Sequence, residues 1–352
     1  MRPSSPSPTN VWCLWLALAL TGAGCATGSS QRVAWPSPPA MERILHLRTL
    51  AGGDDVESVA ARFWRKLAGL ERPHRLYHPL GVAVSPDGDL VVVSDQGLGQ
   101  VLLFDLEADR LHTITRDQLG DAPAGVALEG PRVWVVVPQR KAVLAFSRQG
   151  KLLRVIELPD CERPLGLAVD AERNLLYVSD ASSPQGDGHS IHVHSLQSGE
   201  HRNRLGKKGQ GEGEFFFPTF LALGPGGGLY VADTMNARVI ELDAAGAFVR
   251  QFGERGDRFG NFDKPKGVAL DTFGNVYVVD SFFAAVQIFS RDGRLLLFFG
   301  GPGDSPGFLA NPAGIAIDAR NRIYVANGLN HRVDVYQLVN TSVQDSRLDA
   351  TR

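Results

Sequence analysis

Three histidines and an aspartate are the residues whose types and spacing could support metal chemistry. His189, His192 and His194 follow Asp187 in the stretch GDGHSIHVHSL. A spacing of two residues puts His192 and His194 on one face of a strand, where two imidazoles can chelate zinc. No CxxC or HExxH motif frames them, and isolated histidines are often structural. We therefore predict no required cofactor, with a divalent metal, calcium or zinc, as the alternative.

Acidic and amide side chains recur where apolar runs end, and they form a second candidate set. Two of these positions carry an Asn and an Arg at matching offsets. The candidate residues are Asp95, Asp180, Asp233, Asn236, Arg238, Asp280, Asn327, Asn330 and Arg332. Such a set could bind a partner or a metal. Residues of these types also commonly satisfy the amides of their own turns, and we favour that interpretation.

These acids belong to a repeated sequence unit. From Pro218 to Asp233, Pro265 to Asp280 and Pro312 to Asn327 the offset is 15 residues each time. Further copies begin at Pro79, Pro123 and Pro164, which makes six units spaced 41 to 54 residues apart. Each unit contains four short β-rich runs separated by turn residues, which is typical of propeller blades. We predict an all-β, six-bladed β-propeller of four-stranded antiparallel blades.

The repeated phrase P-x-G-(apolar)-A-(apolar)-D…G-x-(apolar)-Y-V-x-D-x-x-N-x-R resembles the NHL repeat of six-bladed β-propellers over about residues 43–340. The match is weakest in the second unit, where Pro138 replaces the Asp. Some propeller lyases similar to this fold use axial histidines and an acid just after the unit's Pro, but Leu80 and Gly81 follow Pro79 here. In the repeat alignment, His194 takes the place of Phe104, Phe146, Leu242, Phe289 and Tyr336, which favours a packing role for it.

The two ends of the repeat region are complementary. No fourth strand follows the sixth unit's VDVYQL, whereas RILHLRTL at residues 43–50 is a strand without a local partner. An open ring would expose sheet edges. We predict that Ile44–Leu50 is the outer strand of the sixth blade.

One amphipathic helix is predicted before the first full blade, over residues 54–70. Val56, Val59, Ala60, Phe63 and Leu67 form its apolar stripe. Asp54 or Asp55 would cap its start. Such stripes usually pack on their own domain, so we expect the helix to cover one face of the ring; the alternative is that Trp64, off the stripe, anchors a partner.

The amino end resembles a bacterial lipoprotein signal. An apolar run, VWCLWLALAL, is too short to cross a bilayer and leads to LTGAGC. We predict a signal peptide over 1–24, lipidated Cys25 and a flexible tether over 25–42, the propeller over 43–340, and a polar tail over 341–352. The alternative is ordinary secretory cleavage near Ala23 or Ala26. By the family rule, Ala26 after the Cys indicates the outer membrane.

The turn after each second strand and the link between blades emerge on one side of a propeller, here called the loop face. Loops on a rigid scaffold often bind partners. We predict a monomeric, lipid-anchored, non-catalytic module of the cell envelope that binds a protein or envelope component there. The alternative is a metal-dependent lyase or lactonase-like enzyme with a site on the propeller axis. A net charge of −2 with no basic stripe argues against nucleic acid.

Overall fold

Six antiparallel sheets follow one another along the chain and close into a ring. The computed structural model describes residues 32–58, 60, 64, 67–68 and 74–341. The propeller lies in the unit that begins at Val33. The predicted signal peptide, Cys25 and nearly all of the polar tail lie outside the described residues.

Two strands at the start of the chain, β1 (Ala34–Trp35) and β2 (Ile44–Leu50), belong to the last blade. Blade 1 contains β3 (Pro79–Val84), β4 (Leu90–Asp95), β5 (Gln100–Asp105) and β6 (Arg110–Ile114). Blade 2 contains β7 (Val126–Glu129), β8 (Arg132–Val137), β9 (Ala142–Ser147) and β10 (Leu152–Glu157). Blade 3 contains β11 (Pro164–Asp170), β12 (Leu175–Asp180), β13 (Ser190–Ser195) and β14 (His201–Leu205).

Blade 4 contains β15 (Pro218–Leu223), β16 (Leu229–Asp233), β17 (Arg238–Leu242) and β18 (Phe248–Phe252). Blade 5 contains β19 (Pro265–Leu270), β20 (Val276–Asp280), β21 (Ala285–Phe289) and β22 (Leu295–Gly300). Blade 6 contains β23 (Pro312–Ile317), β24 (Arg322–Asn327) and β25 (Arg332–Leu338), followed by β2 and β1. The helical elements whose bounds fall within the described residues are one short α-helix, Arg116–Leu119, and 3₁₀ turns at Gly53–Asp55, Pro225–Gly227, Thr234–Asn236 and Gly328–Asn330.

The offset between Pro and the acid or amide, 15 residues in blades 4 to 6 and 16 in blades 1 and 3, is the register of the first hairpin in five blades. Each of these prolines begins an inner strand and pairs with the acid or amide that ends the second strand. The pairs are Pro79 with Asp95, Pro164 with Asp180, Pro218 with Asp233, Pro265 with Asp280, and Pro312 with Asn327. Blade 2, where Pro138 replaces the acid, lacks such a pair, and its first strand begins only at Val126.

The core consists of six apolar clusters, and each fills the space between two neighbouring blades. The middle strands are therefore buried on both faces, which accounts for their continuous apolar runs. In β4, every residue from Leu90 to Asp95 is buried. Stacking of sheet on sheet supplies the stability of a ring that contains no disulfide among its described residues.

Glycines bring the inner strands of neighbouring blades into close backbone contact. A Cβ atom added at Gly267 would lie 2.3 Å from the carbonyl oxygen of Ala313 in the next blade. Equivalent glycines in four other blades face the next inner strand in the same way, namely Gly81, Gly125, Gly166 and Gly314. Gly314 lies against Leu80, so this contact also joins the last blade to the first.

The predicted ring closure is confirmed, and it extends further than expected. β2 pairs antiparallel with β25, from Ile44 with Leu338 to Leu50 with Val333. Beyond it, β1 adds a fifth strand, and Trp35 packs against Phe299, Phe308 and Tyr336 with ring centroids 5.9 to 6.3 Å apart. The flexible tether predicted over 25–42 therefore overlaps the folded blade from Val33 onward, because β1 pairs with β2 and the half-buried indole packs on the blade.

The prediction of a helix over 54–70 is only partly tested. Gly53–Asp55 is a 3₁₀ turn, Ala60, Trp64 and Leu67 have helical backbone, and the amide of Ala68 donates to the carbonyl of Trp64 at 2.9 Å, while the remaining residues from 61 to 73 lie outside the described residues. The Asp55 carboxylate accepts hydrogen bonds from the preceding amides of Ala51 and Gly52, at 2.6 and 2.9 Å. Val56 is buried as predicted, but Leu67 is 66% exposed, so the apolar stripe does not pack on the ring at that position.

Within the described part of the chain, none of the helices has both the length and the apolar character that a membrane crossing requires.

Candidate functional site

The turns between second and third strands on the loop face share one backbone design. In five blades this turn has four residues, and in blade 3 it is expanded to residues 181–189. The fourth residue of each short turn is left-handed, with φ between 50° and 65°, at Gly99, Lys141, Ala237, Ala284 and His331. Five nearly identical turns therefore expose their second residue at equivalent places around the ring.

The predicted acids of the loop face are buried and bind backbone amides of the link that precedes each blade. Asp180 accepts hydrogen bonds from the amides of Glu162 and Arg163 at 2.8 and 2.7 Å. Asp95, Asp233, Asp280 and Asn327 accept equivalent bonds from His78, Phe216, Asp263 and Ala310 at 2.6 to 3.0 Å. All five side chains are fully buried. They hold each link against its inner strand, so their contact with any partner is indirect.

Blade 4 reinforces this arrangement with an ion pair. The Arg238 guanidinium donates to Asp233 at 2.9 Å and to the link carbonyls of Gln210 and Gly211 at 2.7 and 3.0 Å. Asn236 donates to the same carboxylate at 2.7 Å. Burial outweighs these favourable contacts and raises the pKa of Asp233 to about 6.

Blade 6 contains the same residue types as blade 4, but its carboxylate lies on the third strand instead of at the end of the second. Asn327 takes the position of the acid, and Arg332 pairs with Asp334 at 2.9 Å. Arg332 also donates to the link carbonyls of Asp304 and Ser305, each at 2.8 Å. Asn330 donates to the carbonyl of Gly303 at 2.8 Å. The matching Asn and Arg positions predicted from sequence therefore bind link carbonyls in both blades.

The tips of four short turns carry exposed apolar side chains. Leu98, Met235, Phe282 and Leu329 are 44% to 66% exposed, and each follows its blade's buried acid or amide by two or three residues. A tethering role cannot account for them, because the neighbouring acid already holds the link. Tyr77, also exposed, stacks on His331 with centroids 5.1 Å apart in the same region of the ring.

Blade 5 extends this apolar surface with four phenylalanines. Phe259, in the link before the blade, stacks on Phe298 with ring centroids 3.5 Å apart. Phe283 contacts both Phe259 and Phe282, at 5.6 and 6.1 Å. Three of the four rings are at least 40% exposed. A continuous aromatic strip therefore runs from the turn tip to the outer strand.

The histidines predicted to form a metal site do not all lie close to one another. His189 is buried in another environment, where its Nδ1 accepts a hydrogen bond from the amide of Phe217 at 3.2 Å and its ring meets Phe216. Asp187 is exposed and uses its backbone carbonyl to bind Arg204 at 2.9 Å. His192 and His194 instead lie beside His201 of β14, and a ligand atom from each of the three rings lies within 4.8 Å of the others.

Burial lowers the pKa of both buried rings, His192 and His194, below that of a free imidazole. Burial lowers the pKa of His192 to about 4, with further lowering from His201 and Arg204, and burial also lowers the pKa of His194. Neither nitrogen of His192 has a hydrogen-bond partner in the part of the chain described, nor does Nε2 of His194. Each buried unsatisfied polar group costs about 1–3 kcal/mol.

Two candidate features, His201 and the apolar turn tips, are absent from the sequence-based predictions. His201 lies seven residues beyond His194, across a turn, and only the pairing of β13 with β14 brings them opposite each other. The apolar turn tips did have a signal, since an apolar residue recurs two or three positions after the acid in four units. Alignment of the turns, as well as the strands, would have revealed it.

Comparison with known proteins supports the fold. The NHL repeat family model matches residues 309–336, which span the link into blade 6 and most of its three C-terminal strands. Comparison with curated protein sequences gives no match. The chain therefore carries an NHL repeat in a six-bladed propeller.

Several solved structures resemble this one. A protein of unknown function from Bacteroides thetaiotaomicron superposes with a TM-score of 0.60 at 16% identity, over 74% of this chain and 70% of that one. A streptogramin B lyase gives 0.55 at 13% identity, over 75% and 94%. An auxiliary nutrient binding protein from B. thetaiotaomicron gives 0.57 at 13% identity, over 74% and 69%. At such identities the likeness shows the fold alone.

Proposed function

We propose that this propeller is a non-catalytic binding module that docks a partner protein on its loop face. The observation that carries the proposal is the set of exposed apolar side chains at four equivalent turn tips, Leu98, Met235, Phe282 and Leu329. At these exposures the four side chains bury only part of their apolar surface within the propeller itself. Grouped apolar residues on one face are typical of protein interaction sites.

The rigidity of the turns supports this role. Each tip stands beside a buried acid or amide that binds the neighbouring link, and its turn ends in a left-handed residue. Residues presented on a rigid frame lose little conformational freedom when a partner binds, which improves affinity. The aromatic strip of Phe259, Phe282, Phe283 and Phe298 supplies the large rings that dominate binding energy in protein interfaces.

The alternative is a metal-dependent lyase or lactonase-like enzyme with its site on the axis. Such an enzyme needs polar ligands from several inner strands. Five of the six inner strands instead place a glycine against the backbone of the next strand, and a glycine offers no ligand. The inner strands therefore favour the binding role.

We further infer that the chain is exported and held in the cell envelope, at the outer membrane, through a lipidated Cys25. The support is the sequence before the propeller, where a short apolar run ends in small residues and Cys25. An anchored binding module would meet its partner at the membrane surface, where both are concentrated.

Site-specific photo-crosslinking in cells of the source organism tests the docking proposal. A photoreactive residue at Phe282 should give one dominant crosslinked partner, whereas the same residue at Leu152 should not. Leu152 is a matched control because it is also exposed, at 44%, but lies on the outer strand of blade 2. Equal crosslinking at both positions would refute the loop face as the docking surface.

Affinity for the recovered partner gives the second readout. The double variant Phe282→Ser, Leu329→Ser should bind at least about 30-fold more weakly, since a loss of about 1 kcal/mol or more at each residue adds to about 2 kcal/mol. The control Leu152→Ser, Leu153→Ser removes similar exposed apolar area from β10 and should leave affinity unchanged.

A further inference from the structure

The groove between blades 2 and 3 contains polar groups that neither propeller stability nor loop-face docking accounts for. His192 and His194 lie on one face of β13, the face that packs toward blade 2, because their pairing partners Val178 and Leu176 belong to the apolar cluster shared by those two blades. His194 pairs across the sheet with His201 of the outer strand β14. The three rings, here called the imidazole cluster, therefore sit at the rim of the ring.

The imidazole cluster has its rings in mutual contact. The His201 ring centroid is 5.4 Å from that of His192 and 5.1 Å from that of His194. One ligand nitrogen of each ring lies within 4.8 Å of the others. Zinc holds its nitrogen ligands at about 2.0–2.1 Å, so the nitrogens must approach to about 3.3 Å. His201 is exposed, so its ring can approach the two buried rings without displacing core side chains.

The buried imidazole nitrogens of His192 and His194 have lone pairs available for a ligand. His194 Nδ1 lies 3.2 Å from the carbonyl oxygen of Gly199, and a carbonyl accepts only, so the proton is on Nδ1 and the lone pair on Nε2. That Nε2 atom has no hydrogen-bond partner among the described residues, and neither nitrogen of His192 has one. Both side chains are only 2% exposed. Metal-bound histidines are oriented by this same kind of backbone contact at the other nitrogen.

The repeat itself argues against packing as the whole explanation. The residues in register with His194 are Phe104, Phe146, Leu242, Phe289 and Tyr336, all of them buried. An apolar side chain at position 194 would fill the same space without leaving a buried nitrogen unsatisfied. Blade 3 has a polar ring here, a second one two residues earlier and a third on the adjacent strand.

The surroundings of the imidazole cluster leave room for a further ligand. They also contain carboxylates that balance the positive charge of Arg204. A cavity of about 420 Å³ opens beside His194 and His201 and is also lined by Glu157 and Asp160 of the blade 2 side. Asp180 lies 3.7 Å from Nε2 of His192. These carboxylates offset the positive charge of Arg204, which pairs with His192 across the strands.

We propose that His192, His194 and His201 bind one zinc ion at the rim of blade 3, with the adjoining cavity leaving its fourth coordination position accessible. Imidazole nitrogens suit zinc and its neighbouring transition metals, whereas calcium prefers oxygen ligands. The site is separate from the loop face, so the zinc proposal does not depend on whether a partner docks there.

The test measures zinc binding by the purified full chain. After treatment with a chelator, calorimetric titration with Zn²⁺ should give one site per chain. His194→Phe places at this position the residue found at three equivalent positions, so it preserves packing while removing a ligand. We expect His194→Phe and His201→Gln each to weaken binding by more than about 100-fold, since even loss of an outer-shell group costs 10–100-fold. His189→Gln should bind zinc as the original chain does.

Cobalt distinguishes the imidazole cluster from the neighbouring set of Cys161, Asp180 and His192, whose ligand atoms also lie within 4.8 Å of one another. The Co²⁺-loaded chain should show the visible bands of a nitrogen-rich tetrahedral site without a thiolate charge-transfer band, and Cys161→Ser should not change them. A thiolate band lost in Cys161→Ser would overturn the assignment. So would zinc binding that survives in both His194→Phe and His201→Gln while circular dichroism shows them folded.

Discussion

Nε2 of His46, on the first long strand of the chain, lies 3.0 Å from a carboxylate oxygen of Asp334 on the last. The two residues are 288 positions apart, and the contact lies inside the sheet that joins the two ends of the ring. The other carboxylate oxygen accepts hydrogen bonds from Asn327 at 2.7 Å and Arg332 at 2.9 Å. One buried carboxylate therefore connects the N-terminal strand with the last two strands, and the amide of Gly307, 3.4 Å away, adds the link before blade 6.

Acid should weaken this junction. Burial acts to raise the pKa of Asp334, but the contacts with His46, Asn327 and Arg332 outweigh it and lower the pKa from 3.8. A carboxyl whose pKa is lower in the folded chain stabilises fully above its unfolded pKa, and this stabilisation is lost as the pH falls through the folded value.

We expect Asp334→Asn to cost about 3 kcal/mol or more at neutral pH, because it removes one partner from a buried ion pair. The difference in free energy of unfolding between the variant and the original chain should become smaller below about pH 4. Urea unfolding across a pH series measures it. A difference that stays constant down to about pH 2.5 would contradict the role given to this carboxylate.

Closure of the ring by β2 should depend on its buried side chains. Leu50→Ala removes a fully buried side chain where β2 meets β25, and should lower the free energy of unfolding by about 2–5 kcal/mol. Leu47→Ala, on the same strand but 49% exposed, should change it by less than about 0.5 kcal/mol. Denaturant titration compares the two, and equal effects would argue that β2 does not carry the closure.

The close contact of inner strands predicts that glycine is required at their middle. Gly267→Ala would put a Cβ atom 2.3 Å from a backbone oxygen of blade 6, which cannot move without displacing its strand. We expect a loss of at least about 3 kcal/mol. The control is Gly130→Ala, where φ is 53° and no atom lies within 4 Å, so only the left-handed backbone costs about 1–2 kcal/mol. If thermal unfolding showed Gly130→Ala to be less stable than Gly267→Ala, the close contact at Gly267 would be contradicted.

Removal of the lipid attachment point should release the protein from the membrane. Cys25→Ser leaves no thiol to acylate at the predicted cleavage site, so the chain should move from the membrane fraction to the soluble fraction of the envelope. Cys161→Ser is the matched control, because Cys161 is buried inside the propeller and should not affect fractionation. Retention of the Cys25→Ser variant in membranes would refute the anchor.

Local patterns predicted most of the fold because a propeller is built from local hairpins. The offset from Pro265 to Asp280 is the register of one hairpin, so repetition along the chain counts the blades directly. Ile44–Leu50 could be assigned to blade 6 because a closed ring leaves only one strand edge for it. The Ser/Pro-rich segment around Trp35 predicts a tether, and no local pattern indicates its contacts, because its partners Phe299 and Tyr336 come from distant parts of the chain.

The sequence by itself determined the number of blades, their strand order and the acids that end the second strands, because these depend on spacings within about fifty residues. Tertiary structure alone decided which side chains meet. In the structure Asp95 and Asp280 are buried and accept hydrogen bonds from link amides. His189 lies away from His192, whereas His201 lies beside His194. Burial and contact between strands depend on register and on stacking of neighbouring sheets, and a residue's position along the chain does not encode either of them.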